Sequence, residues 1–257
     1  MFFCARTQML SNNSLNRTLE ITKEFGFDGV EISMLNSSFK LRPELLEDYV
    51  IKHNRNLLDQ LELYVSAVSC HGDYIYKDEI YNIIKKTIPK VRDYGTNILI
   101  ISGTQKKTFD KNEWELMIKR TKELVIIAEN YGVLIAVEFE PGFIVGNTNE
   151  LLALFKEIPS ENLAANLDIG HVFLCDEKPM ESIQMLNKKI VHVHIENMYR
   201  GVHNHLLPDR GDMDLLSYIN ALEKIGFKGG AALDLYAYDY EAVAADAVKY
   251  LKSLKNS

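Results

Sequence analysis

The sequence predicts an α/β fold: one closed (β/α)8 barrel covering residues 1–257 as a single domain. Three observations carry that expectation. Strand-like and helix-like segments alternate from one end to the other. Side chains able to do chemistry sit at the C-terminal ends of strands two, three, five, six, seven and eight, where an open sheet would gather them at one switch point. No GxGxxG follows the first strand and no GxxxxGK[ST] occurs anywhere, so the phosphate signatures of open nucleotide-binding sheets are missing.

The elements follow in order. Apolar, β-branched runs predict strands near 2–6, 28–33, 63–69, 97–102, 133–139, 163–168, 190–195 and 231–235. Between them, apolar residues recur at i, i+3 and i+4, which predicts helices at 14–25, 42–61, 77–94, 112–131, 148–157, 180–187, 214–225 and 240–254. Asp and Asn repeatedly precede these helices. Gly26, Gly132 and Gly226 each separate a helix pattern from the next strand, as C-terminal glycine caps do. The joint GFDGVEI at 26–32 recurs loosely as GFKGGAAL at 226–233. There is no low-complexity stretch and no Pro- or Ser-rich linker.

The 257 residues are 47% hydrophobic and 25% charged, enough for one large core. A net charge of −7 argues against a broad basic face and so against a nucleic-acid partner. Cys4, Cys70 and Cys175 form no CxxC pair, which fits a reducing compartment. No apolar run approaches a membrane span, and MFFCARTQML does not read as a signal peptide. A cytoplasmic protein is the expectation. Nothing marks a surface for homo-oligomer formation.

Four strand-ending residues demand an explanation. They are Glu138 in LIAVEFEPG, Asp168 in LAANLDIGH, His194 in IVHVHIEN and Asp234 in GGAALDLY. A charged group at the end of a buried strand is costly unless something pairs with it. Four in successive strands suggest convergence on one divalent cation. Glu140 shares a face with Glu138 but lies nearer the loop. Asp168-x-x-His171 either brings a carboxylate and an imidazole to one centre or caps the next helix. His192 and His194 point to the same side, with His192 deeper and read as a core histidine. His71 follows the third strand and Glu31 lies in the second; both face the barrel mouth, and for Glu31 a buried ion pair is an equal reading. Cys70 points away from His71 and is set aside. The loop ENMYRGVHNHLLPDRGDMD carries Arg200, His203, His205, Asp209 and Arg210, a concentration suited to an anionic or hydroxylated substrate.

These segments resemble the sugar phosphate isomerase/epimerase family of xylose-isomerase-like TIM barrels, a superfamily that also contains endonuclease-IV-type AP endonucleases. GFDGVEIS, SAVSCHGDY, GVLIAVEFEPGF, NLDIGHVFL, IVHVHIENM, the H-x-H-L-x-P-x-x-G-x-x-D stretch from 203 and EKIGFKGGAALDL carry the resemblance nearly end to end. It implies metal ligation by Glu138, Asp168, His194 and Asp234. It implies substrate contact by His171 and, six residues after the strand-seven histidine, by Arg200. His71 and His205 are read as further substrate-binding groups. Glu138 and Asp234 fall on the family's acid/base pair. Two departures stand out: the last ligand is Asp where the family usually has Glu, and strand four ends IISGT without the histidine of the AP endonucleases.

The implied cofactor is one divalent ion, Mn, Mg, Co or Zn, and the implied partner a sugar or sugar phosphate. The expected reaction is isomerisation or epimerisation by carboxylate proton transfer through an enediolate. The alternatives are phosphodiester hydrolysis of the endonuclease IV type and a metabolite-binding barrel that has lost turnover. Dehydration of a keto-polyol is a further option within the fold.

Overall fold

A computed structural model describes residues 1–107 and 111–255. Eight parallel strands close into a barrel in the order β1 to β8: Phe2–Arg6, Gly29–Ser33, Tyr64–Cys70, Ile98–Ser102, Leu134–Glu138, Leu163–Asp168, Ile190–Ile195 and Gly230–Leu233. The last strand pairs with the first, Phe2 opposite Gly230 and Cys4 opposite Ala232. All eight strands stand where apolar periodicity puts them. Asp234 lies one residue beyond β8.

Nine α-helices surround the barrel: α1 Leu15–Glu24, α2 Asp48–Gln60, α3 Asp78–Thr87, α4 Lys111–Tyr131, α5 Thr148–Glu157, α6 Ile169–Cys175, α7 Pro179–Leu186, α8 Leu215–Lys224 and α9 Tyr240–Lys255, counted among the described residues. Ser14 caps α1 by accepting from the Arg17 amide, and Asn147 caps α5 by accepting from Glu150. Gly26 and Gly226 adopt φ of +84° and +79° just past α1 and α8, a region open to glycine without steric cost.

Three helix expectations change. The segment 42–61 divides into a 3-10 turn, Pro43–Leu46, and α2, because Glu47 between them is extended. The segment 77–94 ends as α-helix at Thr87 and continues as 3-10 through Tyr94, where Pro89 has no amide to donate. The strand-six sequence runs directly into α6, whose seven residues are too few to show a helical period.

Most buried apolar residues form one core between strands and helices. A separate small cluster, Ala67, Ile100 and Ala136, packs together apart from it. Ala136 is two residues before Glu138, so by strand alternation it lies one layer below that carboxylate on the inward face. Beneath the C-terminal mouth the barrel interior therefore holds this apolar cluster beside the buried polar side chains of Ser66, Asn166 and His192. Among the described residues, no helix is long and apolar enough to cross a membrane.

Candidate metal centre

Strand alternation and strand length bring the polar side chains to one level. Glu138 and Asp168 end β5 and β6, His194 is the penultimate residue of β7, and Asp234 follows β8. All four are at most 3% exposed. His194 is their hub. Its Nδ1 lies 3.0 Å from Glu138 Oε2, 4.0 Å from Asp168 Oδ2 and 3.9 Å from Asp234 Oδ2. Its Nε2 lies 2.8 Å from Glu31 Oε2. A carboxylate lies beside each ring nitrogen of His194. Burial and Arg6 lower its pKa, but Glu138 and Glu31 raise it to about 10. Nδ1 thus stands where carboxylates from three strands meet.

Arg6, at the end of β1, completes the ring. Its Nε is 3.2 Å from Glu31 Oε1, and its Nη1 pairs with Asp234 Oδ2. Glu31 also accepts from Ser69 Oγ at 2.6 Å. Burial works against a Glu31 charge, yet Arg6 and His194 hold its carboxyl well below the usual range. Burial likewise opposes ionisation of Glu138, and His194 and His71 overcome it, so that its pKa is also lowered. For Glu140, burial and the charges of Glu138, Asp168 and Asp234 outweigh the opposing charge of Arg6 and push its pKa well above normal.

A cavity of about 480 Å³ opens above this layer. Arg6, His71, Glu138, Glu140, His171, His205 and Asp234 line it, with Phe39, Phe143 and Tyr236. His71 sits between two carboxylates, 3.9 Å from Glu138 and 3.7 Å from Glu31. His171 is oriented by Phe139 O at 2.8 Å from its Nδ1, and its Nε2 meets His203 Nε2 at 3.0 Å. Both readings of the DxxH motif hold together: Asp168 Oδ1 caps α6 through the His171 amide at 2.8 Å and leaves Oδ2 facing the centre. Arg200 is not brought to the cavity. It is exposed, its guanidinium 4.4 Å from the Phe173 ring centroid. His192 is a core histidine, with Asn166 Oδ1 at 2.8 Å and Ser66 Oγ at 3.0 Å from its two nitrogens. Burial lowers its pKa to about 3. Cys70 packs in the outer core, away from the centre.

The residues fit a divalent cation on an observation independent of any pattern. Buried polar atoms are normally hydrogen-bonded. Here His71 Nε2, Asp168 Oδ2, Asp234 Oδ1, Glu196 Oε2 and His205 Nδ1 are buried with no partner among the described residues. All are Lewis bases or can become so, and all belong to one end of the barrel. Glu138 has ligand atoms within 4.8 Å of those of His71 and His194, and also of those of Asp168 and His171. Oxygen and imidazole donors of this kind suit Mn, Co, Zn or Mg.

Two residues were not anticipated from sequence. Arg6 ends FFCAR as Glu138 and Asp168 end their own strands, so the same signal marks it. Glu196 follows IVHVHI with the parity of His192 and His194, and that parity aims it inward. It is fully buried; burial and the charges of Asp168 and Asp234 raise its pKa well above normal.

A family model described as the xylose isomerase-like TIM barrel matches residues 19–254. The inosose isomerase of Bacillus velezensis is 24% identical over 253 residues, covering 92% of this chain and 89% of that one. Further relatives at 22% to 25% identity are named as 3-epimerases and dehydratases. Among solved structures, the probable 3-DHS dehydratase AsbF of Bacillus anthracis superposes with a TM-score of 0.84 at 17% identity, over 98% of this chain and 99% of that one. The IOLI protein with a bound zinc atom gives 0.80 at 23%, over 99% and 96%. At these identities the superpositions show a shared fold.

Proposed function

Since the chain belongs to the xylose isomerase-like TIM barrel family, we propose that it is a divalent-metal-dependent isomerase or epimerase of sugars, sugar phosphates or closely related polyol ketones. One observation carries the reading: the His194 Nδ1 position lies within 3.0 to 4.0 Å of carboxylate oxygens from Glu138, Asp168 and Asp234, under a cavity lined by histidines. The relatives named as isomerases, epimerases and dehydratases support the same class of substrate.

Glu138, Asp168, His194 and Asp234 would hold the ion. When bound, it supplies Lewis-acid polarisation of a substrate carbonyl. The chain does the rest. Glu138 and Asp234 act as a pair, one on each side of the sugar: one accepts the proton from the carbon next to that carbonyl. Return by the other carboxylate to the opposite face of the same carbon is epimerisation, and return to the neighbouring carbon is aldose–ketose isomerisation. His71, His171 and His205 offer ring nitrogens to substrate hydroxyls. Arg6 fixes Asp234 through Oδ2, and the apolar walls Phe39 and Phe143 limit water.

The test is deuterium incorporation from D₂O into a panel of ketoses, their phosphates and inososes, read by NMR. Glu138→Gln and Asp234→Asn should each lower the rate about 100-fold or more, the usual worth of a positioned acid or base. Undiminished exchange in both variants sinks the assignment.

The phosphodiesterase alternative is favoured by one observation, ring nitrogens of His171, His203 and His205 within 4.8 Å of one another. Against it, β4 ends at Ser102 without a histidine and the chain is acidic. Metal-dependent cleavage of an abasic-site duplex would decide for hydrolysis.

A further inference from the structure

We propose that Asn166 is a positioning residue for Glu138, and that His192 and Ser66 beneath it fix which oxygen of Glu138 is offered to the cavity. The inference rests on the reading of Glu138 as ligand and base. It gives Asn166, His192 and Ser66 a task which that reading leaves unassigned.

Side chains from β5, β6, β7 and β3 form one line of hydrogen bonds across the barrel interior. Asn166 Nδ2 donates to Glu138 Oε2 at 2.5 Å. Asn166 Oδ1 lies 2.8 Å from His192 Nδ1, and His192 Nε2 lies 3.0 Å from Ser66 Oγ. All three residues below Glu138 are buried. The direction of each bond follows from the upper end of the line. An ionised carboxylate can only accept, so the amide nitrogen faces Glu138. The amide oxygen then faces His192, whose Nδ1 must carry the ring proton. Nε2 is left as an acceptor and takes the Ser66 hydroxyl proton, for which Val30 O at 3.2 Å is the more distant alternative. Asn166 cannot turn over without setting its oxygen against the Glu138 carboxylate.

The sheet is deformed to build this line. Regular alternation turns neighbouring residues to opposite faces. Ala67 belongs to the interior cluster with Ile100 and Ala136, and Val191 packs against that cluster, so alternation alone would turn Ser66 and His192 outward. The ladder slips between Val30 and Glu31, where Ser66 is the extra residue of β3. It slips again between Ala165 and Asn166, where Val191 is the extra residue of β7. Among the described residues these are the two register shifts of the barrel. Each lets two consecutive side chains face inward, as bulges beside functional sites do.

The line also divides the labour of the two Glu138 oxygens. Oε2 receives Asn166 and stands 3.0 Å from His194 Nδ1. Oε1 has no hydrogen-bond partner among the described residues; His171 Nδ1, at 3.8 Å, serves Phe139 O instead. Glu138 lines the cavity, and Oε1 is the atom left to act there. Asn166 Nδ2 is also 3.3 and 3.4 Å from the two nitrogens of His194. Such near-equal distances put the amide against the ring face, so the in-plane positions of both nitrogens stay with Glu138 and Glu31. The donor is neutral: it orients the carboxylate without cancelling the charge that an ion or a substrate proton needs.

The experiment reads the His192 tautomer by ¹H–¹⁵N NMR of metal-free protein and the Mn²⁺ affinity by titration of chelator-treated protein. His192 in wild type should carry its proton on Nδ1. Asn166→Leu and His192→Leu should each weaken Mn²⁺ binding about 10-fold or more, the usual worth of a group that orients a ligand. His192→Asn, whose amide N–H stands in for Nδ1–H, should return the affinity to within about 3-fold of wild type. A role in packing alone predicts the reverse order, because leucine fills an apolar gap better than asparagine. Asn166→Ser, too short to reach both neighbours, replaces Asn166→Leu should that protein not fold. Affinity within about 2-fold of wild type in the folded Asn166 variant and in His192→Leu overturns the proposal. So does an Nε2–H tautomer in wild type. Either result leaves the metal-centre reading standing, whereas no Mn²⁺ bound by wild type overturns both.

Discussion

Replacing Arg6 by Met should cost more stability than most single substitutions, and the loss should shrink when metal is added. Arg6 is 1% exposed and serves two carboxylates that are themselves 0% and 2% exposed, Glu31 and Asp234. Methionine fills much of the volume but leaves both carboxylates without their fixed cation. Removing one partner of a buried ion pair costs about 3–5 kcal/mol. For a chain of this size that is a fall of about 10 °C in Tm. A divalent cation on Asp234 supplies positive charge at the same place, so it should compensate part of the loss. The assay is urea unfolding followed by circular dichroism, for wild type and Arg6→Met, each with EDTA and with saturating Mn²⁺. The expected difference between the two proteins is about 3 kcal/mol or more in EDTA and smaller by at least about 1 kcal/mol in Mn²⁺. A difference below about 1 kcal/mol in EDTA, or one indifferent to Mn²⁺, would refute the view that Arg6 and the cation neutralise the same carboxylate.

Three other outcomes follow from the same geometry. Chelation should lower the Tm of wild type, because an ion at 100 times its Kd stabilises the folded state by about 2.7 kcal/mol, and an unchanged Tm would count against a preformed site. Gly170→Ala should destabilise the protein by about 1–3 kcal/mol through the clash of its Cβ with Glu196 and Met198, read by thermal unfolding. His192 gives a pH dependence. The unfolded chain takes up its proton below about pH 6.5, whereas the folded one, with a pKa near 3, does not, so stability is present above pH 6.5 and falls as the solution is acidified toward pH 3. Between pH 7 and pH 5, wild type without metal should lose about 2 kcal/mol more than His192→Gln; equal losses would show that His192 titrates normally.

The fold was legible because all eight strands are apolar runs of strand length, buried on both faces. The candidate site was legible for a related reason. Glu138, Asp168, His194 and Asp234 interrupt apolar context at strand ends, and a barrel brings strand ends together. Arg6 carries no metal-ligand atom, so a pattern of ligand-type strand ends does not include it, although a buried guanidinium needs partners of its own. Glu196 lies in HIEN, which reads as the start of a loop, while the parity of β7 continues through it and turns it inward. Arg200 shows the limit of position along the chain: six residues after His194, a loop sets the direction, and here it turns the guanidinium onto Phe173 outside the cavity. The split of 42–61 depended on the extended conformation of Glu47 alone, which an apolar period does not report.

The most direct test of the account is the divalent-metal content per chain, by elemental analysis, of wild type and Glu138→Ala purified without chelator and again after incubation with Mn²⁺ or Zn²⁺. The geometry around His194 predicts at least one ion per chain in wild type and one fewer in the variant. No ion in wild type under either condition, or the same content in both proteins, would contradict it.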